Sequence, residues 1–249
     1  MTTVPELEPE YPIVLALDSS TTAIGVAVLR EGEPVSECAW RAARPSSEGL
    51  LSAAQETLGR VGLTVRDVGL VAVATGPGSF NGIRGGIATA QGLAMALDIP
   101  AVGVPTLDAL AYAHAGRAAV ICALWRAGRG EVYGAAYAGN WATWVRRSDY
   151  MVGSAAVVLA ALAAAPDETL VCGGFDAATV AEAARGIAVA PSFTHASCAP
   201  MVGALALRAA AAVGPRAGDG DDSTLGATLR PLYLRRPAIT RPRAASGSI

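Results

Sequence analysis

Between Val68 and Ala74 the chain carries an unbroken apolar run of strand length. A half-exposed strand alternates apolar and polar residues, whereas a continuous run of this kind belongs at the centre of a sheet covered on both faces. It leads straight into Gly76-Pro77-Gly78-Ser79-Phe80-Asn81-Gly82 and then into a small-residue helix from about Ile83 to Leu97. Strand, glycine-rich connection and helix in that order place the chain in the α/β class.

The flanking segments extend the pattern. Ile13 to Leu17 and Ile24 to Leu29 enclose the polar turn Ser19 to Thr22, and Val35 to Trp40 returns as a third antiparallel strand. Leu50, Leu51, Ala54, Leu58 and Val61 recur at helical spacing, with Gly62 placed to end that helix. Ala101 to Val104 is a short strand, and Thr106 is positioned to cap a helix through about Ala115. The organisation then begins again. Ala118 to Trp125 and Glu131 to Ala138 flank the turn Arg126 to Gly130, and Trp141 to Arg147 reads as the next strand. Met151 to Ala165 reads as a buried helix, Thr169 to Cys172 as a strand, Pro200 to Val213 as a helix and Leu232 to Leu234 as a last strand. Two successive modules predict a duplicated α/β fold with lobes at 12–106 and 107–236, the C-terminal segment being free to return to the first lobe. Residues 1–11 and 237–249 read as flexible tails and Gly214 to Ser223 as a flexible connection.

Composition narrows the function. With 52% hydrophobic, 16% charged and only 5% aromatic residues, the interior has to be packed through small side chains at close backbone spacing. A net charge of −2, with no long basic block before the last fifteen or so residues, argues against a free-standing electrostatic grip on RNA. Arg230, Arg235, Arg236, Arg241 and Arg243 read as a solvated basic end, phosphate contact being the alternative. Cys38, Cys122, Cys172 and Cys198 are dispersed without a C-x-x-C pair, which favours reduced packing cysteines. The acidic start, Glu6, Glu8 and Glu10, is not a secretory signal, and the apolar stretch at 151–165 is shorter than a bilayer requires, so a cytoplasmic location is expected.

Two motifs have the composition of phosphate-handling loops. Asp18-Ser19-Ser20-Thr21-Thr22 puts a carboxylate at a strand end before a hydroxyl-rich turn, suited to a magnesium-bound water and phosphate oxygens, or to plain turn hydrogen bonding. Gly76 to Arg84 joins close-approach glycines to a helix N-terminus, which fits either a phosphate cradle through Gly76, Gly78 and Ser79 or a tight packing connection. It is neither a P-loop nor a dinucleotide fingerprint. Gly173-Gly174-Phe175 is the nearest candidate for a second such loop, and Glu131 and Tyr133 are candidates to line a cleft.

In order and spacing, Asp18-Ser19-Ser20-Thr21, Gly25-Val26-Ala27-Val28, Gly76 to Arg84, Gly92-Leu93-Ala94, Gly103 to Leu107, Arg129 to Tyr133 and Pro231 to Arg235 resemble the TsaB (YeaZ-like) family. The resemblance implies an actin-like fold of the Hsp70 and sugar-kinase superfamily, two lobes each with a mixed sheet flanked by helices. It implies a non-catalytic scaffold subunit in the N6-threonylcarbamoylation of tRNA adenosine 37, with no catalytic residue, cofactor or metal of its own. The related transferase, TsaD, holds a metal through a His-x-x-x-His pair, whereas this chain has only His114 and His195. Implied partners are a TsaD-type transferase and a TsaE-type ATPase, a second copy of the chain when alone, and tRNA at most indirectly. The family pairs through two helices, which carries the interface expectation onto Leu50, Leu51, Ala54 and Leu58 of the first and Gly85, Ala88, Thr89, Gly92 and Ala96 of the second. Asn81 replaces the family's usual Thr, and Trp125 stands near its usual Asp, which weakens a nucleotide role for the second lobe. The alternative is an ATP-dependent small-molecule kinase or ATPase of the same superfamily, using Asp18, Ser19 and Ser20 with the Gly76 to Gly82 loop.

Overall fold

The computed structural model describes residues 11–44, 46–175, 177–190, 197–213 and 229–234. Strands β1 (Ile13–Asp18), β2 (Ala23–Arg30) and β3 (Glu33–Arg41) form an antiparallel meander. Helix α1 (Leu50–Gly59) follows, then β4 (Leu70–Gly76), α2 (Phe80–Leu97), β5 (Ala101–Pro105) and α3 (Thr106–Tyr112). β4 lies parallel to β1, and β5 parallel to β4, so the first sheet runs β3-β2-β1-β4-β5.

The second module repeats that plan. β6 (Val120–Gly128), β7 (Glu131–Ala138) and the two-residue β8 (Val145–Arg146) form a meander, and β9 (Met151–Ser154) also pairs with β7. After α4 (Ala155–Leu162) come β10 (Thr169–Gly174), parallel to β6, then α5 (Ala177–Ala181), β11 (Ala188–Val189), parallel to β10, and α6 (Ala199–Val213). The path β8-β7-β6-β10-β11 reproduces the order of the first sheet, which is the duplicated, actin-like α/β architecture expected from the sequence.

Burial follows from period-two alternation in strands covered on both sides. Leu15, Leu17, Val71 and Val73 face α1 and α2, in one cluster with Leu50, Leu58, Ile83 and Ile87. Val14, Ala16, Leu70 and Ala72 face the opposite way, in the cluster that contains Ala199, Val202 and Ala206 of α6. The second sheet meets α4 and α5 through Cys122, Leu124, Val158, Leu159 and Val180. Its other face joins Leu107 and Leu110 of α3 in the same cluster as α6. The last helix of each module therefore packs on the other module's sheet, α6 on the first and α3 on the second, and the two helices touch. Gly203 makes the closest approach possible, since a Cβ there would overlap Leu29.

Four local expectations are corrected. Thr106 is the first residue of α3 rather than its cap; Pro105 precedes the helix, and the buried Thr106 hydroxyl has no hydrogen-bond partner among the described residues. The stretch from Met151 divides into β9 and α4, because Glu131 to Gly134 pair with Met151 to Ser154 and Ser154 then caps the helix at Val157 N–H. α4 is not wholly buried either, since Val157 is exposed. Of Trp141 to Arg147 only Val145 and Arg146 are strand, and Leu232 to Leu234 form none, Leu232 making a single backbone bond to Thr75. His195, the connection at 214–223, the tails at 1–10 and 237–249, and Arg235, Arg236, Arg241 and Arg243 lie outside the described residues. Among the described residues no helix is long and apolar enough to cross a membrane.

Candidate functional site

The two loops singled out in the sequence meet at the C-terminal ends of β1 and β4. Asp18 is fully buried. Its Oδ1 accepts from Ser20 N–H at 2.9 Å and Ser20 Oγ at 2.7 Å, and its Oδ2 accepts from Cys198 N–H at 3.3 Å. Burial pushes this carboxyl above the usual carboxylate range, against the opposing pull of the Ser20 and Cys198 bonds. Ser19 Oγ donates to Gly82 O at 2.8 Å, and Ser79 N–H donates to Ser20 O at 2.7 Å. Ser79 also caps α2, its Oγ accepting from Gly82 N–H at 3.3 Å. A Cβ on Gly78 would overlap the Ser20 carbonyl oxygen, and one on Gly86 would stand 2.6 Å from Ser19 Oγ. The glycines thus admit the Ser19–Ser20 turn itself, and the N–H groups of Ser20 and Ser79 are committed to protein acceptors.

Between the lobes lies a cleft of about 330 Å³, walled by Ser20, Thr21, Thr22, Gly78 and Ser79 on one side and by Trp125 to Gly128 and Tyr133 on the other. Among the described residues no carboxylate lines it. Asp18 is turned into the protein, and of the pair Glu131 and Tyr133 only the tyrosine reaches the cleft, with its phenol pKa pushed up by burial. On the second-lobe side the Trp125 ring lies flush against Gly174, where a Cβ would collide with it. An aromatic ring therefore fills the place where Gly173 and Gly174 would have formed a second phosphate loop.

The helices divide the expected contact residues. Leu50, Ala54 and Leu58 are fully buried under α1 and face their own sheet, so they are corrected from interface to core; Leu51, 49% exposed, is the α1 residue of that set at the surface. On α2, Ala88, Gly92 and Ala96 are exposed and Gly85 and Thr89 partly so, the Thr89 hydroxyl bonding back to Gly85 O. Met95 stands among them 84% exposed. Gly85 is packed, since a Cβ would meet Ser47, whereas among the described residues nothing lies within 4 Å of one placed on Gly92.

Sequence reasoning missed one partly buried polar cluster. Asp108 Oδ1 accepts from Tyr137 OH at 2.6 Å and from Tyr150 OH at 2.7 Å, tying α3 to β7 and to the segment before β9. Burial raises the Asp108 pKa while the two phenols and Arg146 pull it down. Its members are 29 and 42 residues apart, so no local spacing could have joined them. His114 stands with its Nδ1 2.9 Å from Arg117 Nη1, away from the cleft.

Comparison with known proteins agrees with this geometry. A family model described as TsaD, tRNA N6-adenosine threonylcarbamoyltransferase, matches residues 40–209. The tRNA threonylcarbamoyladenosine biosynthesis protein TsaB of Bacillus subtilis is 33% identical over 124 residues, 50% of this chain and 54% of that protein. Its Escherichia coli counterpart is 36% identical over 127 residues, with the same coverage. The chain thus spans about half the length of the curated relatives it matches. A crystal structure of a Pseudomonas aeruginosa protein described as similar to peptidase YeaZ superposes with a TM-score of 0.70 at 26% identity, covering 90% of this chain and 99% of that one. YeaZ from the same organism gives 0.62 at 27% identity over 78% and 89%. On the match across most of its two modules, the chain belongs to the tRNA N6-adenosine threonylcarbamoyltransferase family, as a TsaB/YeaZ-type member.

Proposed function

We propose that the chain is a scaffold subunit of tRNA N6-threonylcarbamoyladenosine synthesis that binds and stabilises a TsaD-type transferase and performs no chemistry itself. The observation that carries the reading is the outer face of α2. Ala88, Gly92 and Ala96 leave a shallow strip beside the exposed Met95, and a glycine in an exposed helix interior costs about 1 kcal/mol against alanine without a packing return among the described residues. Small residues at three- and four-residue spacing let a second helix approach closely, and Met adapts its shape to a partner surface. The N–H groups of Ser20 and Ser79, committed to protein acceptors rather than open to a phosphate, support a non-catalytic role. A second copy of the chain would use the same strip in the partner's absence, and a TsaE-type ATPase would join the assembled pair.

The test is light scattering after size exclusion of the chain alone and mixed with a TsaD-type protein, with calorimetric titration of ATP into each. A heterocomplex with the wild type and none with Gly92→Leu supports the reading, Gly92 being the substitution the lone fold accommodates. Tight ATP binding by the lone chain, together with indifference to the transferase, would replace it with the kinase or ATPase reading.

A further inference from the structure

The segment at 229–234 is pinned against the end of β4, where Leu232 N–H donates to Thr75 O at 2.8 Å. This brings Tyr233 over the start of α2, stacked on Phe80 with ring centroids 5.4 Å apart and planes inclined by 26°. One helical turn on, Arg84 Cζ stands 5.1 Å from the Phe80 centroid. Phe80 is 40% and Tyr233 43% exposed, so the stack does not serve as core. Arg84 and Arg230 are exposed, and among the described residues neither is in an ion pair. The chain has no lysine, and from Arg230 to Ile249 there are five arginines and no acid.

We propose that the Arg84–Phe80–Tyr233 array is a stacking platform for an unpaired nucleotide of RNA, with Arg84 and Arg230 meeting the phosphates on either side of it. Bases stack on aromatic rings whatever their sequence, and arginine adds both a planar surface and a charge fixed at any physiological pH. The surrounding charge favours a polyanion over a protein. A helix seeking close approach is served by the Ala88, Gly92 and Ala96 strip, whereas exposed arginines without an ion pair among the described residues, on an open ring stack and in a sequence that carries no acid from Arg230 onward, are complementary to a nucleic acid backbone. The contact is direct, where the sequence suggested at most an indirect one. The identity of the RNA as tRNA rests on the scaffold reading; the platform itself does not.

The experiment is fluorescence anisotropy of the full chain with a short oligoadenylate and with a tRNA transcript across a salt series, followed by ultraviolet crosslinking and peptide mapping. Wild type should bind both, with crosslinks in the peptides carrying Phe80 or Tyr233. Tyr233→Leu should weaken binding about ten-fold while Tyr233→Trp retains it. Arg84→Gln should lower the slope of affinity against salt by about one. Failure of the lone chain to bind either RNA at low salt, or equal binding by wild type and Tyr233→Leu, overturns the platform. Variants that bind RNA normally but no longer capture the TsaD-type protein would reassign the array to a protein contact. Tyr233-dependent oligoadenylate binding without any transferase complex would sink the scaffold reading and leave the platform standing.

Discussion

At Asp108 a single carboxylate oxygen satisfies two phenols, the buried Tyr137 and the half-buried Tyr150, so the cost of changing it depends on whether that oxygen survives. Asp108→Asn keeps the acceptor and should fold with little loss. Asp108→Ala leaves the buried Tyr137 hydroxyl without it, and the half-buried Tyr150 hydroxyl to water, and should cost about 1–3 kcal/mol in urea unfolding. Because the folded pKa of Asp108 is raised, the fold favours the protonated acid. That contribution is complete below the ordinary carboxylate range and is lost as pH rises through the raised value, so wild-type stability should fall over this interval more steeply than that of Asp108→Asn. A thermal series from acid to neutral pH reads the difference, and parallel curves would refute it. The thiols follow the same burial logic. Burial pushes Cys122 up to about 12 and raises Cys172 and Cys198, while Cys38 is partly exposed. A thiol reagent at neutral pH should therefore label Cys38 in the native chain and all four after denaturation.

Elements show what sequence periodicity can and cannot convey. β1, β2, β4, β6, β7 and β10 were legible because each is a run long enough to be sandwiched, and α2 because its small residues recur at helical spacing, although Ser79 caps it at Phe80, about a turn before the expected start at Ile83. β8 and β9 were not, since two- and four-residue edge strands owe their existence to β7 rather than to their own composition. The site was half legible: the two loops do meet, but the sequence could not reveal that Gly78 receives the Ser20 carbonyl or that Asp18 points inward. Nor could it tell which leucines of α1 face in, because a helix flanked by solvent and by a neighbour offers two apolar stripes. Two glycines make the distinction measurable. Gly78→Ala should destabilise by about 1–3 kcal/mol through overlap with backbone. Gly92→Ala, in open space, should raise stability by about 1 kcal/mol, and a loss there in the lone chain would contradict the placement of that face.

Across the whole molecule the exchange of α3 and α6 gives both lobes one apolar cluster, reinforced by Cys198 N–H on Asp18 and by Arg208 on the Trp141 and Ala142 carbonyls. Calorimetry should therefore find a single transition with matching calorimetric and van't Hoff enthalpies, and two resolved transitions would show that the lobes melt separately. The same exchange governs the order in which the chain can mature on the ribosome. The face of the first sheet that carries Val14, Ala16, Leu29 and Ala72 is complete once β5 has been made, yet its cover, α6, emerges roughly 100 residues later, about 5–20 s at ordinary elongation rates. During that interval an apolar sheet waits uncovered in the nascent chain, so newborn molecules of this protein should engage holdase chaperones until translation passes Val213.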